Sequence, residues 1–218
     1  MIVMQPVLEL GAPDDFSLWP VAACAPPGFM ALSGTLTPAE VGTALMLLAR
    51  CNDIAPDPAA GDDRPPHPAD PLGSFLHGLL TFEDLFAAGG LRVVDGSTGA
   101  TLLPGCCGGL EDRRDAYAVL DGTGRAFFGH DPDPVVERSD DVVRWIVDVE
   151  RSDSPVIETS TAETRRLLGG VERDLLGFLA LTSDWARLHL PDRYAGPVLD
   201  ALVRVLAVPA GGLTGQTS

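Results

Sequence analysis

One long apolar stripe limits this chain more than any other feature. Val171, Leu175, Phe178, Thr182 and Trp185 recur at three- and four-residue spacing, the mark of one buried helix face. Ser160-Thr161-Ala162-Glu163 supplies a capping-box pattern ahead of it. Gly169-Gly170 is expected to stop or kink the helix that this box opens, and Pro191 to end the long helix that follows. Pro197 is expected to open a last helix that buries Val198, Leu199, Leu202, Val203 and Leu206. The strand signals lie at or before Val147. Strands first and long helices last, without strict βα alternation, predict an α+β fold: an antiparallel or mixed β-sheet packed against C-terminal helices.

The earlier part of the chain is cut finely by turns. Residues 1–36 read as short strands, with Val3, Val7 to Leu10, Val21 to Cys24 and Phe29 to Leu32 as the apolar runs of a hairpin or sheet edge. Thr37-Pro38-Ala39-Glu40 is a capping box that opens a helix to about Arg50 or Cys51. Asp70-Pro71 caps a shorter helix over Leu72 to Leu80, and Thr81 to Asp84 reads as a further cap, opening a turn that ends at Gly89-Gly90. Leu91 to Val94 and Ala100 to Leu103 flank Asp95 to Gly99 as a hairpin. A second hairpin is expected from Tyr117 to Leu120, turning at Asp121 to Gly124 and returning through Arg125 to Phe128. Val142 to Val147 is a further strand.

The expected organisation is one α+β domain over residues 1–209. It carries a flexible Pro/Asp-rich loop at 52–69, too poor in apolar side chains to offset its ordering entropy, and a disordered tail at 210–218. His67, inside that loop, is expected to be solvated. His77, on the short helix, is expected to be packed or half-exposed.

Charge narrows the function. Asp and Glu total 31 against 15 basic residues, all of them Arg, for a net charge of −16. Such a surface opposes nucleic acid and anionic lipid and favours a basic protein partner. No apolar run approaches the ~20 residues needed to span a bilayer, and MIVMQPVLELG has no basic residue ahead of its apolar run, so a cytoplasmic protein is expected. Without Lys there is neither a P-loop Lys nor Schiff-base chemistry, and the common nucleotide, zincin and hydrolase motifs do not occur. No cofactor is expected.

Special residues concentrate between Leu102 and Pro134. Cys106 and Cys107 lie between glycines, Glu111, Asp112 and Asp115 follow, and Gly-His-Asp-Pro closes the segment at His130, Asp131 and Asp133. A nucleophilic Cys with His130 as its base is one reading, but the nearby carboxylates oppose thiolate formation. A metal site from Cys106, Cys107, His130, Asp131 or Asp133 is a second. Zinc sites usually space their cysteines two to four residues apart, so the doublet is a poor match, and adjacent cysteines rarely bridge each other because their side chains diverge. A turn in which Asp accepts backbone N–H bonds and Pro fixes φ is the third. It leaves Glu111, Asp112, Asp115, His130, Asp131 and Asp133 as candidate binding residues and no catalytic or metal residue. The four cysteines, Cys24 and Cys51 included, read as thiols.

The order of features from Leu91 to Trp185 resembles the SMI1/KNR4 (SUKH) superfamily. The matching parts are the turn around Leu110-Glu111-Asp112, Val119 to Gly124, Phe128 to Pro134, and the helix at Leu175 to Leu179. The resemblance implies a small α+β protein, and many bacterial members are immunity proteins that bind and neutralise toxins. It carries over no functional residue. LPGCC and GHDPDP are also similar to uncharacterised actinobacterial proteins. Together these readings give the expected function: a non-enzymatic protein-binding domain of immunity type. The alternative is an enzyme or metal-binding protein centred on Cys106, Cys107 and His130.

Overall fold

The structure is a computed structural model and describes residues 1–11, 15–24 and 27–208. The tail expected at 210–218 lies outside the described residues. In chain order the elements are β1 (Ile2–Leu10), β2 (Gly28–Ala31), α1 (Pro38–Cys51), α2 (Pro71–Thr81), β3 (Gly89–Asp95), β4 (Thr101–Leu102), α3 (Arg113–Ala118), β5 (Arg125–Phe127), β6 (Val135–Ser139), β7 (Val142–Ile146), β8 (Val156–Ser160), α4 (Thr161–His189) and α5 (Asp192–Val205). The strands form two sheets, ordered β2-β1-β3-β4 and β5-β6-β7-β8. The β1–β3 and β3–β4 pairs and every pair of the second sheet are antiparallel. The fold is α+β. No helix among the described residues is long and apolar enough to cross a membrane.

Two compact units divide the chain. One holds Met1–Leu8, Ala31–Ser33 and Ala88–Leu175; the other holds Glu9–Met30, Gly34–Ala87 and, among the described residues, 176–208.

In the first unit, β1 buries Met4, Val7 and Leu8, and β3 buries Leu91 and Val93. Gly89 and Gly90 begin β3 rather than end a turn. Gly89 has φ +145°, and a Cβ there would sit 2.0 Å from the Val7 carbonyl oxygen, so only glycine permits this approach of the two strands. The hairpin between β3 and β4 forms at the expected place. Asp95 accepts from Ser97 Oγ at 2.7 Å, Ser97 N at 2.9 Å and Thr98 Oγ1 at 2.9 Å. These bonds, led by the Ser97 hydroxyl, lower its carboxyl to about 2.

The second expected hairpin is corrected. Tyr117 is in α3, and Val119–Thr123 continues as a π-helical turn. Leu110, Arg113, Ala116 and Leu120 are buried at helical spacing. Arg113, 1% exposed, donates from Nε to Glu172 at 2.9 Å and from Nη1 to the Leu110 carbonyl at 2.9 Å. This helical burial outweighs the β-propensity of Tyr117 and Val119. Of that hairpin only Arg125 to Phe127 is strand, and it pairs with β6. Neither β6 nor β8 stood out in the sequence. Val136, Val143, Trp145 and Ile157 fill one face of this sheet, and Val135 is buried on the other.

Thr159 and Thr164 share a 2.7 Å hydroxyl hydrogen bond between β8 and the first turns of α4, and Ser160 Oγ accepts from Glu163 N at 3.1 Å. Gly169 and Gly170 do not interrupt α4. Buried Leu167, Leu168, Val171 and Leu175 on both sides hold the helix through them, since tertiary packing rather than propensity carries most helical stability.

The second unit is helical. The α1 capping box forms in full: Thr37 Oγ1 accepts from Glu40 N at 3.3 Å, and Glu40 Oε2 accepts from Thr37 N at 2.7 Å. Val21 to Cys24 form no strand. Just before them Trp19 is buried among Phe16, Phe75 and Trp185, with ring centroids 4.8, 5.6 and 5.7 Å away, and its Nε1 donates to the Gly42 carbonyl at 2.8 Å. α5 begins at Asp192, so Pro197 lies inside it instead of opening it. Tyr194 Oη donates to Asp70 at 3.2 Å, and Arg193 Nη2 lies 3.6 Å from the same carboxylate, which anchors the first turn ahead of the proline.

The 52–69 segment is built against α2. Asn52 is buried, donating to Leu48 and Phe86 carbonyls at 2.7 and 2.9 Å and accepting from Phe86 N at 2.9 Å. Arg64 pairs with Asp62 and lies 3.5 Å over the Phe82 ring. His67 is half-buried and stacks on His77 at 4.3 Å, and His77 Nε2 meets the Pro65 carbonyl at 2.7 Å. His67 is therefore docked, not solvated: its ring gains a partner in the buried His77.

Candidate functional site

The cysteine pair and the His130–Asp131 turn meet at one place in the first unit. Two loops are laced by backbone hydrogen bonds. Gly105 N donates to Phe128 O at 2.8 Å, Cys106 N donates to His130 O, and His130 N returns a bond to Cys106 O at 3.1 Å. The loops press too closely for side chains at their contact. A Cβ on Gly105 would lie 2.3 Å from the Pro132 carbonyl oxygen, and Gly129, at φ +97°, would bring one to 2.7 Å of Cys106 O. The glycines around the cysteine pair thus serve close backbone approach.

Gly108 N donates to Gly105 O at 3.1 Å and closes a turn over the two cysteines. Cys107 takes φ +62°. On extended backbone, neighbouring side chains point to opposite faces. The left-handed residue removes that alternation, and the two Sγ atoms lie 3.6 Å apart. The side chains do not diverge at this turn, yet the sulfurs remain unbridged. Both are thiols, as are Cys24 and Cys51. Ligand atoms of Cys106, Cys107 and His130 all lie within 4.8 Å of one another, and all three residues are exposed.

The carboxylates divide by exposure. Asp115 and Asp131 are exposed, whereas Glu111, Asp112 and Asp133 are half-buried. Asp112 accepts from Gly109 N at 2.8 Å, so it is spent on the turn at Leu110–Asp112. Burial raises its pKa against that hydrogen bond, with Asp115 adding to the rise. Glu111 is raised too, first by burial and then by Asp112, and its Oε2 is buried without a hydrogen-bond partner. Asp131, at φ +51°, places Oδ2 3.8 Å from His130 Nδ1. Asp133 joins through its backbone, its carbonyl accepting from Val149 N at 2.9 Å.

The sequence named the side chains here but missed the lacing between Cys106 and His130. Its signal was the spacing of Gly105, Gly108 and Gly129, glycines that no periodic pattern explains. A separate concavity of about 220 Å³ in the second unit is lined by Leu36, Pro38, Val41, Leu181, Trp185 and Leu188 among others. Its walls are mostly apolar, so the chemistry concentrates at the cysteine turn. Compared with family models, curated proteins and solved structures, the chain matches none.

Proposed function

We propose that this chain is a non-enzymatic protein-binding domain, an immunity-type inhibitor that docks a basic partner in the cytoplasm through the laced loops at Gly105–Gly108 and Phe128–Pro134. The observation that carries the reading is the exposure of His130 and Asp131 on a backbone held by the Cys106–His130 hydrogen bonds. A fixed loop loses little conformational entropy on binding. Asp115 and Asp131 face solvent, and the half-buried Glu111, Asp112 and Asp133 add to the negative charge of these segments. The net charge of −16 steers a cationic surface inward and repels nucleic acid and anionic membrane. The resemblance to the SUKH superfamily points the same way through the Leu110–Asp112 turn, Phe128 to Pro134 and the Leu175 to Leu179 helix, without the hairpin expected at Val119 to Gly124.

The test is recovery of a partner from the native host, followed by association kinetics of Asp115→Arg and Asp131→Arg. Each reversal is expected to slow association at low salt. The difference from the parent should shrink as the Debye length contracts from about 10 Å at 0.1 M to about 3 Å at 1 M. An unchanged low-salt rate would exclude this face as the docking surface, and failure to recover any partner at any salt would sink the reading. A second reading, a metal-binding protein, rests on a different observation, the convergence of two thiols and an imidazole.

A further inference from the structure

We infer that Cys106, Cys107 and His130 form a three-ligand site for a zinc-like ion, with the fourth coordination position open. The donor set comes first. Two thiolates and an imidazole suit Zn²⁺ and select against magnesium and calcium, which take oxygen. The bite of the two sulfurs comes second. With zinc–sulfur bonds of about 2.3 Å, a separation of 3.6 Å subtends about 100° at the metal, close to the tetrahedral angle. The spacing objection to adjacent cysteines does not apply here, because the left-handed Cys107 turns both sulfurs to one side.

The imidazole comes third. It lies within 4.8 Å of both sulfurs, and tetrahedral ligation needs about 3.5 Å. The His130 side chain is 59% exposed, and closing the gap asks its ring to move by about an ångström. Asp131 Oδ2, 3.8 Å from Nδ1, lies beyond hydrogen-bond reach and contributes negative charge near the ion. The backbone bonds between Cys106 and His130 hold two of the three ligands in register before any ion arrives. An exposed site with three protein ligands leaves room for water or for a donor from another molecule.

This inference stands whether or not a protein docks on the same loops. The test titrates the full, reduced, metal-stripped chain with Co²⁺ and then Zn²⁺. One equivalent of Co²⁺ is expected to bind with thiolate-to-metal charge-transfer absorption, and Zn²⁺ is expected to displace it. Cys106→Ser with Cys107→Ser should abolish the absorption, and His130→Ala should weaken binding about tenfold or more. Cys24→Ser with Cys51→Ser should leave it intact. Absence of the charge-transfer band in the parent chain, or its survival in the Cys106/Cys107 double variant, overturns the site. Should that variant lose its far-UV circular dichroism, the Cys24/Cys51 variant decides: loss of the band there overturns the site, and retention supports it.

Discussion

Glu111 shows how a single side chain sets a pH response. Burial raises its pKa above the ordinary carboxylate value of 4.5, and Asp112 adds to the rise. The folded chain therefore binds a proton more tightly here than the unfolded chain does. Stability from this group is full below the unfolded value and is lost as pH climbs through the folded one. Glu111→Gln removes the titration while keeping the shape. It is expected to raise the melting temperature at pH 7 and to flatten its decline above about pH 4.5, with a smaller decline left from Asp112, raised in the same direction. Scanning calorimetry across pH 4 to 8 checks this, and an unchanged slope would refute it. No reading of the sequence separates the half-buried Glu111 and Asp112 from the exposed Asp115. Glu111, Asp112 and Asp115 are equivalent there, and only the turn at Gly109 separates them.

At the scale of elements, helix α3 rests on one charge. Arg113 is buried and held by Glu172, itself 28% exposed, and by the Leu110 carbonyl, so loss of the carboxylate weakens its surroundings without emptying them. Glu172→Ala is expected to cost about 1–3 kcal/mol. Arg113→Met, which takes the charge away with its partner's role, should cost distinctly less. Urea unfolding of both variants orders them, and the reverse order would deny the pair its part in fixing α3.

The segment at 53–69 gives a second case. Its composition suggested that a Gly/Ser linker would replace it at less than about 1 kcal/mol. The structure alters that expectation: the replacement strips His77 of the Pro65 carbonyl and of the stacked His67. A loss of about 1–3 kcal/mol is now expected, and a variant as stable as the parent would show that these contacts contribute nothing. What was legible at this scale were the caps, Thr37 and Asp70, and the loop of the first hairpin, because each is decided within four or five residues. The fate of Tyr117, of Gly169-Gly170 and of Pro197 was not legible. Each is decided by a partner far along the chain or by packing: Arg113's bond to Glu172, the buried leucines of α4, and Asp70's hold on Tyr194. At the site the residue types were legible and the turn that gathers them was not.

Across the whole molecule the dominant fact is charge. A net −16 on 218 residues repels itself in the compact state. Added sodium chloride is expected to raise the melting temperature between low ionic strength and about 0.5 M as screening shortens the reach of that repulsion. A fall over that range would mean that attractive pairs such as Arg144 with Glu137 and Glu158 outweigh it.

The pairing of β1 with β3 also sets a clock. Leu8 pairs with Gly89 and Ile2 with Asp95, so about 80 residues or more separate each strand position from its partner. A ribosome adding 5–20 residues per second takes about 4–16 s to deliver the second strand after the first. Throughout that wait the edge of β1 opposite β2 carries unpaired N–H and C=O groups beside apolar Val3, Val7 and Leu8, the kind of edge that recruits other chains. Newborn copies on one messenger are therefore most prone to cross-pair in this interval, and a holding chaperone has most to protect before Asp95 leaves the exit tunnel.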